Sequence, residues 1–170
     1  MRNTSSATND QPSTSSPPRM ARQFRFERIE AWQLARVLNK TTYAVTREFP
    51  KEEQFVLTPQ LRRASVSVSS NIAEGSGRNS DVDFAHFLEI AYGSLMEVVS
   101  QLFIGLDEGY LTEASFEQLA DEADLLAGKI AALSKSLGRV SRIAPTPTLA
   151  TRSSASSPRP STLVNRHSTV

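Results

Sequence analysis

The chain has 170 residues, with 19 Lys/Arg against 18 Asp/Glu and no cysteine. This length fits one domain with tails rather than two domains, and the missing cysteine excludes disulfides, thiolate catalysis and cysteine-ligated metal. The near-neutral total hides a division: residues 22–78 carry 10 Lys/Arg and 6 Asp/Glu, a balance of +4, whereas residues 79–140 carry 3 and 11, a balance of −8.

Residues 1–20 are dominated by Ser, Thr, Pro and Asn and carry too little apolar surface to offset the entropy of ordering, so they read as a disordered tail. The folded part is expected over residues 21–140. From 141 to 170 the chain is again Ser/Thr/Pro-rich, with four arginines and no acid, and reads as a second disordered tail. No apolar leader opens the chain and no stretch approaches the ~18 apolar residues of a membrane span. The expected setting is soluble and cytoplasmic, with no membrane partner.

The first helix is predicted over about Ile29 to Glu48, with Ile29, Trp32, Ala35, Leu38, Thr42 and Val45 facing inward and the Phe49-Pro50 step ending it. The second runs from Thr58 as N-cap and Pro59 at the first helical position to Gly75 as a left-handed C-cap. Its core stripe is Leu61, Ala64, Ser65, Val68 and Ile72. Small residues fill much of its remaining surface, which admits close approach of another backbone. The third begins at Ser80, with Asp83 completing a short capping box. It presents Phe84, Phe87, Leu88, Ala91, Leu95, Val98, Leu102 and Leu106, and it closes at Gly109. Gly93 and Gly105 are expected at close helix contacts. The fourth starts after Thr112 and carries an unbroken heptad seam, Phe116, Leu119, Ala123, Leu126, Ile130, Leu133 and Leu137, ended by Gly138. Short connections favour antiparallel neighbours. The expected fold is all-α, an antiparallel up-down four-helix bundle.

Chemistry-bearing constellations are sparse. The two histidines, His86 and His167, sit on a helix and in a tail, without the Glu-x-x-His pairs that a bundle metal site requires. There is no nucleophile elbow, and GSGR at 75–78 lacks the ending of a phosphate loop. No metal, cofactor or catalytic residue is expected. Glu74 lies in the last turn of its helix, where the dipole disfavours an acid. A salt bridge to Arg78 or helix-end hydrogen bonds explain it better than an isolated catalytic carboxylate. Arg62 and Arg63, with Arg36, Lys40 and Arg78, are the candidate phosphate contacts, with Arg47 adding charge to the first helix. Such contacts give affinity without base readout. The bland alternative is a set of solvated surface charges.

The ordered motifs Phe49-Pro50, LTPQLRRA at 57–64, SNIAEGSGR at 70–78 and DFAHFLEIAYGSL at 83–95 resemble the bacterial four-helix-bundle proteins encoded in intervening sequences of 23S ribosomal RNA genes. That fold also includes the accessory variability protein of diversity-generating retroelements. The resemblance spans about Phe26 to Leu137. It implies a homopentamer with a central channel, nucleic-acid binding through basic surface and, in the retroelement branch, a reverse transcriptase as partner. Arg62 and Arg63 match the paired arginines of the family, and Asn71, Glu74 and Gly75 match its helix-end motif. One departure is the acidic second half of the folded part. The expectation is therefore a non-enzymatic, oligomeric accessory protein that binds RNA or DNA. The alternative is a protein-interaction scaffold in which the small-residue helix and opposite charges build the oligomer without nucleic acid.

Overall fold

Two hydroxyl residues cap helices as their positions predict. In the computed structural model, which describes residues 24–138, Ser80 Oγ accepts the Asp83 amide at 3.1 Å and Thr112 Oγ1 accepts the Ser115 amide at 3.1 Å. These caps open α3 (Asp81–Asp107) and α4 (Glu113–Ser136). Gly109 (φ +74°) and Gly138 (φ +78°) follow the C-terminal ends of these helices in the left-handed conformation that glycine adopts at little cost. Before them lie α1 (Glu30–Val45) and α2 (Leu57–Ser76), each preceded by a 3₁₀ segment, Arg25–Arg28 and Lys51–Phe55. The tails expected at 1–20 and 141–170 lie outside the described residues.

The ends of α1 and α2 correct the sequence reading. α1 stops at Val45, with Thr46 as its C-cap. Phe49, barred from helical geometry by Pro50, turns inward instead, is buried, and lies 5.8 Å from the Tyr110 ring. α2 begins at Leu57, so Thr58 lies inside the helix and its hydroxyl makes no capping bond. Glu53 performs that task from the 3₁₀ segment, its Oε2 accepting the Leu57 amide at 3.0 Å. Pro59 is still harmless, because the first four helical amides lack partners in any case.

Gly75 is helical, and Gly77 is the C-cap, with φ −85°. Gly75 is small for a packing reason. A Cβ there would lie 2.7 Å from Phe84 Cδ2 and 2.7 Å from Phe87 Cβ, so it lets the first turn of α3 pass against the last turn of α2. Gly105 likewise faces Leu111 and Phe49. Gly93 does not behave as expected: it is exposed and has nothing near its missing side chain.

Side-chain contacts run in opposite directions along neighbouring helices, so that residue numbers rise on one as they fall on the other. Asn39 donates to Ser69 and Arg62 to Thr46 between α1 and α2. Ser67 meets Ser94 and Arg63 meets Glu97 between α2 and α3. Phe103 packs on Phe116 between α3 and α4. Thr41–Glu122 and Glu30–Lys129 close α1 against α4. This is the pattern an antiparallel up-down order requires. The enclosed core holds Leu38, Leu61, Ile72, Leu88, Leu95, Leu102, Leu119, Leu126 and Ile130 at full burial, each contributing roughly 1.5–3 kcal/mol relative to exposure.

α3 is the most apolar element. By length and composition it meets the requirements of a membrane span, contrary to the expectation that no stretch comes close. In the bundle its inner face, from Phe84 through Val98 to Gly105, is buried. Val82, Ile90, Phe103 and Ile104 remain exposed on other faces.

Candidate functional site

Arg36, Lys40 and Tyr43 follow Trp32 along one flank of α1 at helical spacing, and Arg47 continues the row just past the C-cap. The Arg36 guanidinium lies 5.1 Å from the Trp32 ring centroid. From α2, Arg62 reaches across to the same flank: its Nε donates to Thr46 Oγ1 at 2.8 Å and its guanidinium lies 4.9 Å from the Tyr43 ring centroid. Thr46 is itself fixed, since its hydroxyl donates to the Thr42 carbonyl at 2.8 Å. Arg62 is therefore held in one pose while its terminal nitrogens make no hydrogen bond among the described residues.

The α1/α2 seam thus gathers Arg36, Lys40, Arg47 and Arg62. The ion contacts of the described residues are Arg63–Glu97, Arg78–Glu74, His86–Glu89 and Lys129–Glu30, so no carboxylate neutralises any of these four. At the end of the seam is a pocket of about 380 Å³, bordered by Thr46, Arg47, Phe49, Gln54, Thr58 and Arg62.

Arg63 is separated from this seam, because neighbouring residues on a helix point in different directions. It faces α3, bonding Glu97 Oε1 at 2.6 Å and Gln60 Oε1 at 2.9 Å. The adjacent arginines therefore diverge and cannot grip one phosphate together. Arg78 lies at the far end of α2, paired with Glu74 and 4.5 Å from the Phe87 ring centroid. Glu74 has the salt bridge expected of it. Asn71 donates to the Ser67 carbonyl at 2.8 Å and to Ser67 Oγ at 3.1 Å, and Ser67 bonds Ser94 at 2.9 Å. Gly75 thus packs directly on α3, while Asn71 and Glu74 act through Ser67 and Arg78, which touch Ser94 and Phe87 of α3.

The residues that sequence reasoning underweighted are Arg47, Thr46 and Thr58. Arg47 was visible in the row at 36, 40, 43 and 47. Thr46 gave no local signal and Thr58 signalled only a helix cap, because their surroundings come from two helices. On the opposite side of the α2 start, the Tyr110 hydroxyl lies 3.3 Å from Glu53 Oε1. Desolvation raises its pKa above the usual tyrosine value, and the Glu53 carboxylate adds to the shift. Among the described residues no group of three His, Asp or Glu side chains is placed to hold a metal ion.

The sequence model of the 23S rRNA-intervening sequence protein family matches residues 27–132. No curated protein matches the chain by sequence. Among solved structures, the bundle is similar to a protein of unknown function from the S23 ribosomal protein family of Bacteroides thetaiotaomicron. The two share 19% identity at a TM-score of 0.58, over 62% of this chain and 98% of the other. At that identity the likeness concerns the fold.

Proposed function

Because the chain belongs to the 23S rRNA-intervening sequence protein family, we propose that it is a non-enzymatic accessory protein that binds the backbone of RNA or DNA through its α1/α2 seam. One observation carries this reading: Arg36, Lys40, Arg47 and Arg62 lie along one seam with no carboxylate partner among the described residues. Unpaired cations that neutralise phosphates release counterions from the strand and give affinity that salt removes. Tyr43, 39% exposed beneath Arg62, offers a surface on which a splayed base can stack. The acid-rich α3/α4 side would repel a strand and confine it to the seam.

The test is fluorescence anisotropy of a labelled RNA strand, and of the matching DNA, across a salt series. Binding should weaken linearly in log–log form, at about 0.7 per contacted phosphate for a single strand. No binding at about 50 mM salt would overturn the reading.

The exposed apolar side chains of α3 favour a second reading, in which the bundle associates with further copies of itself. Val82, Ile90, Phe103 and Ile104 are 40–59% exposed, with Phe103 and Ile104 adjacent near the end of the helix. Ile104→Glu should shift an oligomer toward monomer in light scattering. An unchanged mass, or a wild type that is already monomeric, would remove this reading.

A further inference from the structure

The pocket at the end of the seam differs from the open row of cations beside it. Arg47 comes from the segment after α1 and Arg62 from the second turn of α2, and both line the same recess. Thr58 lines it too. This residue is only 6% exposed, and its hydroxyl makes no hydrogen bond among the described residues. It sits in the first turn of a 20-residue helix, where the macrodipole favours an anion. The Gln54 amide supplies a further polar group, and no carboxylate lines the recess. Glu53 does cap α2, but it lines the separate pocket on the Tyr110 side.

We propose that this recess binds a phosphomonoester dianion, and that its source is the phosphorylated end of a nucleic-acid strand lying on the seam. Two guanidinium groups match the charge of a phosphomonoester, and arginine's fork suits its oxygens. Thr46 positions Arg62 for this role through its 2.8 Å bond to Nε, leaving both terminal nitrogens for the ligand. The charge argues for an end rather than an internal phosphate: a phosphodiester carries one negative charge, whereas a terminal phosphomonoester carries about two, which Arg47 and Arg62 together match. The next nucleotide then emerges toward Tyr43, which already lies under Arg62.

This inference rests on the proposed nucleic-acid reading, and its test separates the two. Anisotropy compares the full chain with strands of one sequence bearing a 5′-phosphate, a 3′-phosphate or hydroxyls at both ends, with inorganic phosphate as competitor. One phosphorylated strand should bind about tenfold tighter than the hydroxyl strand, the effect of a well-placed charge-assisted contact set. Thr58→Val, which keeps the shape and removes the unpartnered hydroxyl, should narrow that preference, whereas Thr58→Ser should retain it. Arg47→Gln should reduce it further. Arg36→Ala should weaken all strands by a similar factor.

Equal affinity for all three strands, with no displacement by phosphate, would overturn the pocket while leaving backbone binding intact. Inorganic phosphate that protects the wild type but not Arg47→Gln against thermal unfolding, without any end preference, would support the pocket but assign it to a free phosphate. No strand binding together with no phosphate effect would sink both readings.

Discussion

Along α2, the flank facing α1 and the flank facing α3 treat their arginines differently. Toward α3, Arg63 is bound to Glu97, Arg78 to Glu74, and the hydroxyls of Ser67 and Ser94 to each other. Toward α1, Arg62 is held by a threonine and a tyrosine ring, and no described carboxylate reaches it or the three cations beside it. A closed flank has satisfied its polar groups within the chain, so it adds little to binding a charged partner. An open flank keeps its charge for something outside. Adjacent residues of one helix can therefore serve opposite purposes.

The largest expected effect breaks the open flank. Replacing Arg36, Lys40 and Arg62 together by alanine should lower strand affinity by on the order of 10–100-fold and flatten the salt slope by about 2, three contacts at about 0.7 each. Circular dichroism should show an intact helical bundle, since Arg36 and Lys40 are exposed and Arg62 is only partly buried. A triple variant with the wild-type slope would show that the seam is ordinary solvated surface.

The next effect breaks the closed flank at its tightest point. Gly75→Ala gains up to about 1 kcal/mol of helix propensity, but its Cβ would lie 2.7 Å from Phe87 Cβ, an atom close to the α3 backbone that cannot swing aside. Overpacking of this kind costs about 1–3 kcal/mol, so overpacking wins and the melting temperature should fall. Gly93→Ala is the counterpart. With nothing near its missing side chain, only propensity acts, and stability should rise by about 0.5–1 kcal/mol in denaturant unfolding. A gain at both positions would mean that α2 and α3 are not so closely packed.

Those two glycines also show how far the sequence could be read. Ser80, Thr112, Gly109 and Gly138 announce helix ends through chemistry confined to one turn, and the structure uses all four as such. The heptad seam of α4 from Phe116 to Ile130 and the stripe of α2 became buried, with Leu133 and Leu137 partly so, because periodicity is a property of a single helix. Gly75 looked like a C-cap because its real neighbours, Phe84 and Phe87, belong to the next helix. That Arg62 stays open while Arg63 is paired was not visible, because the side of the bundle that each faces depends on where α1 and α3 are placed. Thr58 looked like a cap because the Thr-Pro step is a local signal, whereas the helix starts one residue earlier, at Leu57, whose amide Glu53 of the preceding 3₁₀ segment accepts. What was legible was local, and what was missed depended on which helices lie side by side.

The smallest effect is the sharpest discriminator between the flanks. Arg63 and Glu97 approach to 2.6 Å, but their side chains are 63% and 38% exposed, so solvent screens the attraction and ordering two long side chains offsets part of it. Such pairs contribute about 0.2–1 kcal/mol. Gln60 adds a second contact to the same guanidinium, so Arg63→Ala should cost no more than about 1 kcal/mol in urea unfolding. A double-mutant cycle with Glu97→Ala should return a coupling of at most about 0.5 kcal/mol that fades as salt is added. The salt slope of strand binding should stay at the wild-type value, because a guanidinium that remains paired with a carboxylate neutralises no phosphate and so frees no counterion from the strand. If Arg63→Ala flattens that slope as much as Arg62→Ala does, the Glu97 pair opens when the strand arrives. The two flanks would then form one continuous cationic surface across α2, and the division between an open and a closed side would not describe the bound protein.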